Sequence, residues 1–259
     1  MKRMRKVRAI LKRPFREISD WLRRFESEDT RRARVKARLG EIGGQRMLPT
    51  SHVDYLKRLK ASYDFEPAVV FDIGACVLHW TNEAQRIWPN ARFVAFEAME
   101  AAEFIFQEKK LDYHLAVLSD VDGKPVSFFQ NELFPGGNSY YQENEALSPN
   151  AKRLFGEANR VSKISRTLDA VVRERGFPQP QLIKIDVQGA ELDILKGAGE
   201  TLAGCQHLIL ELQHIEYNKG APLKDAVIDY VLQSGFELVT PLFSNNGPDG
   251  DYHFARKTR

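Results

Sequence analysis

Five short apolar runs, each reaching a carboxylate at or near its end, limit what this chain can fold into. They are AVVFDIG (68–74), ARFVAFE (91–97), YHLAVLSD (113–120), QLIKIDV (181–187) and HLILELQ (207–213). Each is too short for a buried helix. Each is continuously apolar rather than alternating, as in strands covered on both faces. Amphipathic stretches separate them. HWTNEAQRIW (79–88) carries Trp80, Ala84, Ile87 and Trp88 on one helical face, and AAEFIFQEKK (101–110) reads as a helix. RTLDAVVRERG places a helix from Thr167 to Gly176. After the fourth run, Ile194, Leu195, Ala198 and Leu202 recur at helical spacing, and APLKDAVIDYVLQSG (221–235) stops at Gly235. Strands alternating with helices require parallel pairing through right-handed crossovers. FELVT and DYHFARK then close the sheet as an antiparallel pair. GKPVSFFQNE (123–132) reads as a hairpin arm, and LFPGGNSYYQENEALSPN (133–150) as an irregular insertion. The expected class is α/β, with helices on both faces of a mostly parallel sheet.

Charge divides the 259 residues in two. Residues 1–60 hold 19 Lys and Arg against 7 Asp and Glu, a net of +12; residues 61–259 hold 19 against 28, a net of −9. We therefore read 1–60 as a basic helical extension and linker, and 61–259 as the main domain. In the extension Phe15, Ile18, Leu22 and Phe25 form a stripe that Trp21 widens. Asp29 suits the cap of a second helix ending near Gly40, and GEIGGQRMLPTS (40–51) reads as a linker. The stripe must be covered, by the main domain, by a second copy, or by an anionic membrane touched through residues 1–47. Nucleic acid is disfavoured, because no aromatic platform accompanies the charges. No run approaches the roughly 20 apolar residues of a spanning helix, and the N-terminus lacks the apolar core of a secretory signal. Cys76 and Cys205 each lie in or beside an apolar run. They read as free thiols in a reducing, cytoplasmic compartment, with association at the inner face of a membrane left open. No ligand spacing calls for a metal.

Ligands of open parallel sheets bind beyond the carboxyl ends of the strands, where the strand order reverses. Asp72, Glu97, Asp120, Asp186 and Glu211 stand at such ends. A pyrophosphate site needs bare backbone and several glycines. Here the first turn reads DIGACVLHW, with one glycine and an acid before it. An acid is unfavourable beside a pyrophosphate and favourable beside a sulfonium and its ammonium group. The turn therefore suits S-adenosylmethionine better than a dinucleotide, and Glu97 suits a ribose diol.

VVFDIGACVLHWT, FVAFEAMEAA, HLAVLSDVDGKPVSFF, RTLDAVV and above all LIKIDVQGAELDILKGA resemble the FkbM-type methyltransferases over roughly residues 65–257. The resemblance implies the Rossmann-like seven-stranded sheet of class I methyltransferases, S-adenosylmethionine as cofactor, and methyl transfer to a hydroxyl of a sugar, glycan precursor or similar metabolite. It places the donor against Asp72, Gly74, Ala75, Cys76, Glu97, Ala98, Ser119, Asp120 and Asp186. Three positions depart from the family pattern: Leu78 replaces a second glycine, Ala98 a proline, and Gln188 an acid.

A hydroxyl acceptor must lose its proton during attack. Asp186 and His214 are the first candidates for that role, followed by Glu211, Glu191 and His79. Tyr140, Tyr141, Gln188 and Glu211 are candidates for binding the acceptor. Two other readings stay open. One is an inactive methyltransferase-like scaffold; the other is a nucleic-acid methyltransferase using its basic segment. The oligomeric state is not encoded in any pattern here.

Overall fold

The computed structural model describes residues 26–245 and 247–257. The stripe from Phe15 to Phe25 lies outside them. Two helices, α1 (Glu28–Gly43) and α2 (Thr50–Tyr63), precede the first strand. Then follow β1 (Val69–Ile73), α3 (His79–Ile87), β2 (Arg92–Glu97), α4 (Glu103–Glu108), β3 (Asp112–Leu115), β4 (Val117–Leu118) and β5 (Pro125–Phe129). After an irregular insertion come α5 (Ala151–Phe155), β6 (Arg160–Arg166), α6 (Leu168–Arg175), β7 (Leu182–Ile185), α7 (Glu191–Lys196) and α8 (Gly199–Ala203). The chain ends with β8 (His207–Gln213), α9 (Lys224–Gln233), β9 (Phe236–Asn245) and β10 (Asp249–Arg256).

Seven strands form one sheet in the order β3-β2-β1-β7-β8-β10-β9. The first five pair in parallel, and β10 inserts antiparallel between β8 and β9. The strand order reverses between β1 and β7, so their carboxyl ends flank the crevice where a ligand sits. Thr167 caps α6 by accepting the Ala170 N–H, and Gly176 ends it in the left-handed conformation.

Side chains alternate across the sheet. Phe71, Ile73, Ile183, Ile185, Leu208 and Leu210 pack on one face against Leu168, Val171, Ile194, Leu195, Val227 and Val231 of α6, α7 and α9. Val70, Leu182 and Ile209 pack on the other face against Leu56 and Leu59 of α2 and Trp80, Ala84 and Ile87 of α3. Asp72, Lys184 and Glu211 share the α2–α3 face by the same alternation. The register sets Asp72 beside Lys184 and Glu211 beside Asp251. Ile185 pairs with Leu210, so one further residue brings Asp186 level with Glu211. The sheet thus lines up its charged residues in two rows.

Three expectations change. YHLAVLSD is two strands, because the chain leaves the main sheet at Ala116 and β4 joins β6 and β5 in a three-stranded sheet. α1 continues past Gly40 to Gly43, with Ser27 as its cap. Most of the expected linker is short, because Thr50 opens α2 directly after Pro49. Val35 and Leu39 of α1 are buried with Val77, Leu78 and Met99. Such burial contributes about 1.5–3 kcal/mol per side chain. The described part of the extension therefore shares the core of the main domain.

Candidate active site

A cleft opens at the strand-order reversal, about 680 Å³ when the open space at its mouth is included. Ile73, Gly74 and Cys76 of the first turn line it, with Phe96, Glu97 and Ala98 after β2, and Asp186, Val187 and Gln188 after β7. Leu118, Phe128 and Ile194 add an apolar end. Gly74 has φ +80°, and a Cβ there would lie 1.8 Å from the Asp186 carbonyl oxygen. Only glycine lets these two turns touch.

Glu97 is held hard at the cleft. One carboxylate oxygen accepts the Cys76 N–H at 2.7 Å, and the other accepts those of Ala98 and Met99, each at 2.9 Å. Burial pushes this carboxyl above its ordinary pKa, and the three N–H groups oppose that shift. The result is a fixed acceptor whose spare lone pairs face the cleft.

Asp72 sits beneath the site rather than in it. Completely buried, it accepts the Thr81 hydroxyl and faces Lys184 Nζ at 3.6 Å. The position given to it beside the donor is corrected accordingly: strand alternation turns it toward α3. Lys184, an unexpected member, is also buried and donates to Asp186 at 3.0 Å. Burial works against its charge, but Asp186 and Asp72 outweigh that and raise its pKa. Gln188 Nε2 spends one hydrogen on Asp186, at 3.1 Å, and one on Glu211, at 2.6 Å. Asp186 and Glu211 are also in hydrogen-bond contact. Burial raises the Asp186 pKa, but Lys184, Glu211 and Gln188 together bring it below the ordinary value. Burial and the Asp186 charge push Glu211 well above its own. Between the two, the charged form is favoured on Asp186 and disfavoured on Glu211.

The other candidates divide. Ala75 lies in the first turn, and its backbone N–H is tied to the Phe96 carbonyl. Ser119 is buried and donates to Asp120, which is exposed at the rim rather than within the cleft. Tyr140 lines the cleft. Tyr140 and Tyr141 both donate to Asp193 on α7, at 3.0 and 2.8 Å, and so clamp the insertion to the domain. Burial raises both phenol pKa values. His214 shares a hydrogen bond with Tyr252 at 3.0 Å, and its N–H is tied to Pro248, away from the cleft lining. Glu191 folds its own loop, accepting the N–H groups of Val187 and Gly189. Burial pushes it up to about 7. His79 Nε2 donates to the Ile42 carbonyl at 2.8 Å. Cys76 and Cys205 are free thiols. Among the described residues no cluster could hold a metal ion, and no helix is long and apolar enough to cross a membrane.

Residues 72–238 match the family described as Methyltransferase FkbM domain. The chain belongs to the FkbM methyltransferase family. The chain is 25% identical to the 2-O-methyltransferase NoeI of Sinorhizobium fredii, over 84% of this chain and 91% of NoeI. It is 38% identical to the AMB antimetabolite synthetase AmbE of Pseudomonas aeruginosa over 66% of this chain, a match spanning about a tenth of AmbE. A solved ribosomal protein L11 methylase from Lactobacillus delbrueckii subsp. bulgaricus aligns with a TM-score of 0.45 at 11% identity, covering 82% of this chain and 81% of that one.

The departures from the FkbM pattern have physical reasons. Leu78 occupies the second-glycine position at φ 68°, a costly conformation for leucine, and its fully buried side chain packs with Val35 and Leu39 of α1. It points into the core and leaves the cleft lining unaltered. Gln188, also left-handed at φ 58°, supplies two donors to two carboxyls. An acid there would have been a third charge in the same row. The Ala98 N–H, which a proline would lack, is one of the three that hold Glu97. These features fit S-adenosylmethionine. The Gly74 turn brings the Asp186 turn to the same cleft, the anchored carboxylate suits a ribose diol, and the apolar end suits a flat base.

Proposed function

We propose that this methyltransferase transfers the methyl group of S-adenosylmethionine to a hydroxyl oxygen of a sugar, glycan precursor or similar metabolite. The observation that carries this reading is the pairing of two sites at one crevice. Glu97 stands as a fixed acceptor on one side of Gly74, and the ionised Asp186 stands on the other. When bound, S-adenosylmethionine supplies an electrophilic methyl group on a positively charged sulfur. Glu97 would accept hydrogen bonds from the ribose hydroxyls, and the apolar end formed by Leu118 and Phe128 would receive the base. Asp186 would take the proton that the acceptor hydroxyl gives up. Lys184 favours the charged form of Asp186 for that task, and Glu211 stands in hydrogen-bond contact with it. His214 takes no part in this scheme.

The name 2-O-methyltransferase, borne by NoeI along nearly its full length of similarity, supports oxygen as the acceptor atom. Calorimetry tests the donor half. Wild type should bind S-adenosylmethionine, and Glu97→Ala should weaken binding by about tenfold or more, the loss of one or two charge-assisted hydrogen bonds. Equal affinity in a variant of unchanged melting temperature would contradict the assignment.

A further inference from the structure

The cleft continues past Gly74. Beyond Gly74, Cys76 and Asp186 a second chamber opens over the ends of β7, β8 and β10, with Lys184, Asp186, Glu211 and Asp251 lining it. One wall comes from outside the sheet: Met47, Leu48, Pro49 and His52, between and at the start of the N-terminal helices, with His79 and Trp80 of α3 beside them. That wall is fastened at several points. Arg46 makes a two-pronged ion pair with Glu83 at 2.8 and 3.0 Å. His52, 2% exposed, bridges two elements: its Nε2 accepts the Trp80 indole N–H at 2.9 Å, so Nδ1 carries the hydrogen that reaches Asp251 at 3.0 Å. Tyr55, one turn on, stacks on Phe243 with ring centroids 3.9 Å apart. A segment held this way is part of the site's architecture. Met47 differs from its neighbours: 59% exposed, it stands where the chamber meets the groove between α1 and the insertion.

We propose that this chamber is the acceptor site, that Met47–His52 is the wall that selects the acceptor, and that the chamber admits uncharged hydroxyl compounds while excluding phosphorylated or carboxylated ones. This rests on the methyltransferase reading. The exclusion follows from charge. Asp186, Glu211 and Asp251 supply three carboxyl groups. Among the described residues the single ammonium in the lining is Lys184, which already faces Asp72 and Asp186. An entering anion would find no unpaired ammonium or guanidinium among these lining residues and would meet like charge. A neutral hydroxyl carries no charge to be repelled, and its hydrogen can be accepted by the carboxyl oxygens of the lining. Selection by Met47 follows from its place at the mouth, where a bulkier side chain would close the approach.

The test uses the full chain saturated with S-adenosylhomocysteine, whose binding is first measured by calorimetry. Saturation-transfer NMR then follows two probes, methyl glucoside and glucose 6-phosphate. Wild type should transfer saturation to the glucoside at least about fivefold more than to the phosphate. Met47→Trp should cut the glucoside signal by about fivefold or more while leaving the S-adenosylhomocysteine affinity within about twofold. Equal or stronger transfer to the phosphate, no transfer to either probe, or a glucoside signal unmoved by Met47→Trp would overturn the proposal. Failure of wild type to bind S-adenosylhomocysteine would instead overturn the methyltransferase reading on which it rests.

Discussion

Replacing Lys184 with methionine removes the positive charge between Asp72 and Asp186 while keeping much of the side chain's volume. Nζ lies 3.0 Å from Asp186 and 3.6 Å from Asp72. At an effective dielectric near 20 each contact is a gross attraction of about 5 kcal/mol. Desolvation of the three groups offsets most of it. What remains on deletion is the cost of stranding two carboxylates, about 3–5 kcal/mol for a broken buried pair. The pH dependence carries the sign. In wild type the Asp186 pKa is below its unfolded value, so its stabilisation is present above that value and is lost as pH falls through the folded pKa. Without Lys184, the strongest influence opposing burial is gone and the folded pKa rises, so the variant loses more stability relative to wild type as pH rises through that interval. Urea unfolding should therefore show a larger penalty at about pH 7 than at about pH 5.5. Asp72→Asn in the same background should recover part of it. A penalty under about 1 kcal/mol, or one equal at the two pH values, would refute the reasoning.

Four further outcomes are expected. Leu78→Gly relieves about 1–2 kcal/mol of left-handed strain but empties a buried leucine site worth about 2–5 kcal/mol, so it should lower stability while leaving donor affinity within about twofold; calorimetry and urea titration check both parts. Gln188→Glu replaces two donors with a third carboxylate, which should raise the Asp186 pKa and move the acidic limb of the methyl-transfer pH profile upward by about one unit. His207 and His253, bonded to each other at 2.9 Å, are pushed by burial down to about 4 and about 3; they stay neutral while the unfolded chain protonates, so melting temperature should fall as pH drops below about 6.5. Residues 1–25 carry ten Lys and Arg against two acids, and we expect their removal to weaken binding to anionic vesicles; a truncation reaching residue 47 would also delete α1 and the chamber wall, and would test something else.

The strands around the first and fourth apolar runs could be read directly, because continuous apolar runs and acid-terminated turns are local signals; their order in the sheet is not a local signal and came from the structure. Glu97 and Gly74 were recognisable for the same reason. Asp72 was misplaced because a strand-end acid was taken to face the ligand, whereas strand alternation aims it at Thr81. The same alternation pointed to Lys184: a single lysine inside LIKI, two residues before Asp186, shares its face. His52 left no local trace, since its partner Asp251 is 199 positions away. The break at Ala116 was equally invisible, because it depends on β6 pairing with β4 some fifty residues later. The wall around Met47 was hidden by composition: Pro49, Thr50 and Ser51 suggested a linker, yet they mark the start of a helix.

The central claim is that the carboxylates at the ends of β2 and β7 form two sides of one methyl-donor site. A crystal structure of the full chain with S-adenosylhomocysteine measures this directly. The ribose hydroxyls should lie within hydrogen-bond distance of Glu97, with the base toward Leu118 and Phe128 and the sulfur beside Gly74, facing Asp186. A ligand bound elsewhere, or one whose ribose makes no contact with Glu97, would contradict the account.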